Sequence, residues 1–194
     1  MDILDYPDPK RIKLVLIRHT QTQDNESRIY SGQRNVPLNL KGVSQALRLA
    51  QNLADKPLAA IYASDLRRAS LVTDIIQIGH PSIQIYPDAR LRELNLGQMT
   101  GITKEEALVR FPERFFRTSS DEYDFRPIGG ESRTEVVERH FSLFREIRKR
   151  HQEDDLVAIV GHGTALRTIL RAFRFEGPLH EQGDYTQIDL PAYF

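Results

Sequence analysis

A three-layer α/β fold, with helices on both faces of a mostly parallel sheet, is the architecture this sequence predicts. Three observations predict it. Short continuous apolar runs, Leu14–Ile17 and Leu156–Val160, read as strands buried on both faces. Amphipathic stretches of helical period lie between such runs. Strands and helices alternate along the chain, as they do in βαβ units.

The elements follow in order. Lys13–Ile17 is the first strand. Pro37–Lys56 reads as a helix, with Asn39 as its N-cap and Val43, Ala46, Leu47, Ala50 and Leu53 at helical spacing. Ala59–Ser64 is a short buried strand. Leu66–Ile78 is helical and is stopped by Gly79 and Pro81. Ile83–Tyr86 is a third strand. Ser132 and Glu135 form a capping-box pattern at the head of a long helix, whose one face carries Val136, Val137, His140, Phe144 and Ile147. Leu156–Val160 is the fourth strand, followed by a helical run from Thr164 to Phe173. Tyr185–Leu190 alternates as an edge strand does. Residues 101–130 are the least regular and read as an insertion over one end of the sheet. With no internal repeat or Gly/Ser linker, one domain over 1–194 is expected.

Composition narrows the function classes. The chain has 194 residues, 27 Lys plus Arg, 27 Asp plus Glu and no Cys. A formal net charge of zero argues against a nucleic-acid or membrane-surface partner. Without Cys there are no disulfides, thiolate nucleophiles or Cys-based zinc sites. The opening MDILDYPDPKR lacks the pattern of a secretory signal, and no apolar run reaches the ~18 residues of a membrane span. A soluble, cytoplasmic protein is the expectation.

Two strands end unusually. LVLIRH runs into Arg18 and His19, and LVAIVGH into His162; a third, AAIYAS, leads into DLRRAS and Arg67. Ligands of open α/β sheets bind beyond the C-terminal strand ends. Two His and two Arg converging there make an anion site, and the planar fork of Arg suits phosphate. Gly163 and Thr164 open a helix directly after His162, so free N–H groups are expected to add to that site. Strand alternation sends Arg18 and His19 to opposite faces, so a shared pocket requires the strand to break there. Each residue taken singly is more often structural; their coincidence at strand ends carries the reading.

The ordered motifs resemble the histidine phosphatase superfamily, in its phosphoglycerate mutase-like branch. Arg18-His19-Thr20-Gln21-Thr22-Gln23-Asp24-Asn25 resembles its Arg-His-Gly-(Glu/Gln)-Thr-x-x-Asn signature. SGQRNVPLNLKGVSQA, IYASDLRRA (Ser-x-Leu-x-Arg-Ala), LRELNLGQMTG (Leu-x-Glu-x-x-x-Gly), GGES and IVGHGTALRTIL resemble its later motifs in the same order, from Lys13 to about Leu170. The resemblance implies that His19 is a nucleophile forming a phosphohistidine. It implies that Arg18, Arg67 and His162 hold the phosphoryl oxygens, with Asn25 bordering them. Glu93 would be the acid that protonates the leaving oxygen. No metal and no cofactor are implied. Two departures stand out: Thr20 replaces the usual Gly, and Ser31-Gly32 replaces a frequent Gln-Gly.

The expected activity is hydrolysis of a small phosphorylated metabolite. A phosphoglycerate mutase is the alternative; the resemblance favours hydrolysis, since the family's mutases generally carry longer insertions and a C-terminal flap and only about twenty residues follow the last helix here. A non-catalytic phosphate-binding module and a metal hydrolase are further rivals, and no H-E-x-x-H spacing supports the last. Phe111, Phe115, Phe116, Tyr123 and Phe125 are candidate substrate contacts, with at least three expected instead to pack a satellite core. Arg117 and Arg126 are candidates for a second acidic group of the substrate.

Overall fold

The computed structural model describes residues 10–115, 123–177 and 181–192. Strand β1 (Lys13–Arg18) is followed by the short helix α1 (Gln23–Glu26) and by α2 (Leu40–Leu53). Then come β2 (Leu58–Ala63), α3 (Arg67–Gln77) and β3 (Gln84–Pro87). Helices α4 (Lys104–Arg110) and α5 (Pro112–Phe115) precede the long α6 (Arg133–Arg150). Strand β4 (Leu156–Gly161), helix α7 (Gly163–Ala172) and β5 (Tyr185–Asp189) complete the described elements.

The strands form one sheet in the order β3-β2-β4-β1-β5. Only β5 runs antiparallel, paired to β1 at the edge, as its alternating sequence suggests. The other pairings are parallel. Strand β4 is therefore flanked by β1 and β2, and all six of its residues are buried.

Alternation along the strands divides the core in two. Leu14, Leu16, Val157 and Ile159 face Leu143, Phe144 and Ile147 of α6 and Leu166 and Ile169 of α7. Val15, Ile17, Ala158 and Val160 face Ala46, Leu49 and Leu53 of α2 and Ala69, Val72 and Ile76 of α3. Each fully buried Leu, Ile or Val contributes about 1.5–3 kcal/mol. The helix starts are made as the sequence indicates. Asn39 Oδ1 accepts from Gly42 N at 2.8 Å, and Ser132 with Glu135 closes a capping box.

The described part of residues 101–130 is less irregular than the sequence suggests, since it holds α4 and α5. It supplies part of a third apolar cluster, in which Phe111 and Phe125 are buried with Leu94, Met99 and Val136 and Tyr123 packs against them. These three aromatics are core. The side chain of Phe115 and all of Phe116 and Arg117 lie outside the described residues, as does the segment 1–9. Arg126 is exposed and paired with Asp124 at 2.8 Å. No helix among the described residues is long and apolar enough to cross a membrane.

Candidate active site

Three neighbouring strand ends make the floor of the site. The residue after each strand is His19 on β1, Ser64 on β2 and, on β4 between them, His162. His19 N donates to Gly161 O at 3.0 Å and Ser64 N to Val160 O at 2.9 Å, so both follow the ladder one step past their strands. This lines the three side chains up across the sheet: the His19 and His162 rings lie 5.2 Å apart, and Ser64 Oγ is 2.8 Å from His162 Nε2.

A cavity of about 180 Å³ opens above this floor, lined among others by Arg18, His19, Asn25, Arg68, Glu93 and Gly163. Arg18 reaches it from the α7 side, where a Cβ on Gly163 would meet its Nε at 2.9 Å. Arg68 reaches it from α3 on the opposite face. The cavity thus straddles the sheet end, and Arg18 and His19 can share it although alternation separates them.

His19 is prepared for attack. Its Nδ1 lies 2.7 Å from Thr20 O, which can only accept, so the ring hydrogen sits on Nδ1 and the lone pair on Nε2. Burial first, then the charge of Arg68, lower its pKa to about 3; the Thr20 bond pulls upward less strongly than these, and Arg18 adds a smaller lowering. The ring is therefore neutral near pH 7. Thr20 is fully buried and its φ is not positive, so a β-branched residue fits where the family has Gly. Its hydroxyl does not line the cavity.

His162 is also neutral: burial, Arg68 and His19 push its pKa well below 6.5. Ser64 Oγ accepts from Leu66 N at 3.3 Å and can turn its hydroxyl hydrogen to His162 Nε2 at 2.8 Å. That tautomer puts the His162 hydrogen on Nδ1, a buried atom with no partner among the described residues. Arg18 Nε, Arg68 Nε and Ser31 Oγ are in the same condition. Buried donors left unpaired are costly, and an oxyanion between them would satisfy them together. His162 itself stands beside His19 and is not in the cavity lining.

The expected arginine is displaced by one position. Arg67 is the first residue of α3, exposed and outside the cavity lining, and its backbone N–H donates to Asn35 Oδ1 at 2.7 Å. Arg68 is 1% exposed and anchored by Gly32 O and Arg34 O, each at 2.7 Å. The Ser-x-Leu-x-Arg-Ala spacing itself, counted from Ser64, lands on Arg68.

Asn25 is set by a capping box, with Thr22 Oγ1 accepting from Asn25 N and Asn25 Oδ1 accepting from Thr22 N at 3.1 Å. Gln182 Nε2 also donates to that Oδ1 at 2.8 Å, so the Asn25 amide NH2 is left for the cavity. The loop carrying these residues is fixed from α2. Gln45 Oε1 accepts from Gln21 N at 3.0 Å, and a Cβ on Gly42 would lie 2.0 Å from Gln21 O.

The start of α7 differs from expectation. Thr164 N and Ala165 N donate to Glu93 at 3.1 and 2.9 Å, and Leu94 N adds a third bond. The Glu93 carboxyl group occupies the helix N-terminus, which leaves the backbone N–H of Gly163 as that helix's main-chain contribution to a phosphate. Lys104 and Arg167 also line the cavity, both exposed, and neither was singled out by the sequence reading. Arg167 after Burial is the next influence lowering the pKa of Arg18. Among the described residues no cluster of three or more His, Asp or Glu is arranged to hold a metal ion.

Comparison with known proteins agrees with this geometry. Residues 14–190 match the sequence model of the histidine phosphatase superfamily (branch 1). The chain is 32% identical over 172 residues to phosphoglycerate mutase-like protein 4 of Arabidopsis thaliana, covering 88% of this chain and 74% of that one. It is 31% identical over 159 residues to phosphoserine phosphatase 1 of Hydrogenobacter thermophilus, covering 81% and 74%. The structure of Bacillus stearothermophilus YhfR superposes with a TM-score of 0.82 at 32% identity, covering 93% and 92% of the two chains. A mycobacterial glucosyl-3-phosphoglycerate phosphatase in complex with VO3 gives 0.79 at 26% identity, covering 92% of each.

Proposed function

Since this chain belongs to the histidine phosphatase superfamily, we propose that it is a phosphomonoester hydrolase working through a phosphohistidine on His19, with a small phosphorylated metabolite as substrate. The observation that carries this reading is the neutral His19, its Nδ1–H held by Thr20 O, set among buried donors that lack partners.

In the first step His19 Nε2 attacks phosphorus in line with the departing oxygen. The N–P bond forms, the P–O bond breaks, and a proton from Glu93 goes to the leaving oxygen. Arg18, Arg68, His162 Nδ1–H, the Asn25 amide and the Gly163 backbone hold the three phosphoryl oxygens. Phosphoryl transfer needs mainly alignment and charge stabilisation, which fixed cations supply. In the second step Glu93, now a carboxylate, takes a proton from water as the water oxygen attacks phosphorus. The N–P bond breaks and neutral His19 is restored.

The test is turnover of a panel of phosphomonoesters by the purified protein. Wild type releases inorganic phosphate from at least one of them, and His19→Ala loses that activity while keeping its melting temperature. Near wild-type hydrolysis by His19→Ala overturns the reading. Phosphoryl transfer to a bound phosphoglycerate in place of water would identify the mutase alternative.

A further inference from the structure

The segment carrying Glu93 has no regular structure of its own to hold it. It runs from β3 through a 3-10 turn at Ala89–Leu91 and then crosses to the start of α7. Side chains from elsewhere in the fold hold its backbone: Gln33 Nε2 donates to Glu93 O at 2.9 Å, and one arginine spans most of the stretch. Arg139, on α6, donates from Nη1 to Arg90 O at 2.6 Å and Arg92 O at 2.7 Å, and from Nη2 to Glu93 O at 3.2 Å. Its other edge meets Glu131, Nε to Oε1 at 3.0 Å and Nη2 to Oε2 at 3.2 Å. Glu131 Oε2 then accepts from Asn95 N at 2.8 Å, two residues beyond Glu93.

We infer that Arg139 and Glu131 are positioning residues for the acid: a clamp on the backbone of residues 90–95 that fixes where the Glu93 carboxyl meets the leaving oxygen. Neither residue lines the cavity, and all three guanidinium nitrogens of Arg139 are engaged within the clamp. The geometry calls for Arg, because its planar fork reaches three carbonyls and a carboxylate at once and an ammonium cannot. The pair is side-chain exposed by only 16% and 20%, so water competes weakly for these bonds. Glu131 stands in the GGES stretch, and the clamp gives that motif a role the phosphate cradle does not.

The inference rests on the proposed acid role of Glu93, and the test separates the two. Single-turnover phosphorylation is measured with an alkyl phosphate and with an aryl phosphate of acidic phenol. A poor alkoxide leaving group needs the proton and the acidic phenol does not. Glu93→Gln is the reference and should lose ~10²–10⁴-fold on the alkyl substrate alone. Arg139→Lys should follow it, with a loss of roughly 10²-fold on the alkyl substrate, the cost of a displaced catalytic group. Its aryl rate and its vanadate affinity should stay at wild-type values, because the cradle is untouched. Glu131→Gln, which keeps one acceptor oxygen, should fall between. Equal loss on both substrates, or no loss, in Arg139→Lys overturns the clamp while leaving a leaving-group-sensitive Glu93→Gln intact. A Glu93→Gln variant insensitive to the leaving group overturns the acid assignment and the clamp with it.

Discussion

Arg67 and Arg68 are one position and about 100° of helix rotation apart, and that turn separates solvent from site. Arg68 falls on the stripe of Val72 and Ile76, the buried face of α3. Both the motif spacing and the helical period therefore identify it in the sequence; the strand end alone does not. Arg67→Ala should leave turnover and vanadate affinity unchanged. Arg68→Lys should lower kcat by roughly 10²–10³-fold, as loss of a fixed donor to a transferring group does. Steady-state kinetics on the two variants checks this, and the reverse ranking would return the role to Arg67. Other residue-level features had no sequence signal. The tautomer of His19 depends on Thr20 O, and that of His162 on Ser64, a residue far away in the chain. Arg167 and Lys104 are ordinary helix-surface cations in the sequence and enter the cavity only through folding.

At the level of elements, β1, β2 and β4 were legible because buried parallel strands must be continuously apolar, and α2 and α6 because their caps are written in Asn39 and in Ser132 with Glu135. The strand order was not legible, since pairing partners lie up to 176 residues apart, Lys13 with Asp189, and nothing local encodes them. That order sets His162 between His19 and Ser64. The start of α7 was half legible. Its free N–H groups were expected for phosphate, but Glu93 takes those of Thr164 and Ala165, and only the fold reveals which acceptor arrives. Gly163 is needed there for contact: its missing Cβ leaves room for Arg18 Nε. Gly163→Ala should push Arg18 aside and weaken vanadate binding about 10- to 100-fold, equivalent to one charge-assisted hydrogen bond. Calorimetric titration with vanadate measures it, and an unchanged Kd would show that Arg18 does not hold the anion.

For the whole molecule, the neutral histidines link chemistry to stability. His19 and His140 have pKa values lowered to about 3, and His162 lies well below its ordinary value; burial is the leading cause in all three. The unfolded chain binds those protons near pH 6.5 and the folded one refuses them. Unfolding is thus favoured as pH falls below 6.5, with His19 and His140 each costing about 1.4 kcal/mol per pH unit toward pH 3 and His162 acting in the same direction. Urea unfolding should show markedly lower stability at pH 5 than at pH 7.5, and equal stability at both would mean that the histidines are charged in the fold. The same neutrality makes His19 a nucleophile near pH 7, and the central claim is that it becomes phosphorylated. Millisecond mixing with an activated aryl phosphate, an alkaline quench and intact-mass analysis tests this most directly. The account predicts that the chain gains the mass of one HPO3, stable in alkali, lost in acid, mapped to His19 and absent from His19→Ala. Turnover with no adduct under these conditions, or an acid-stable adduct at another residue, would contradict it.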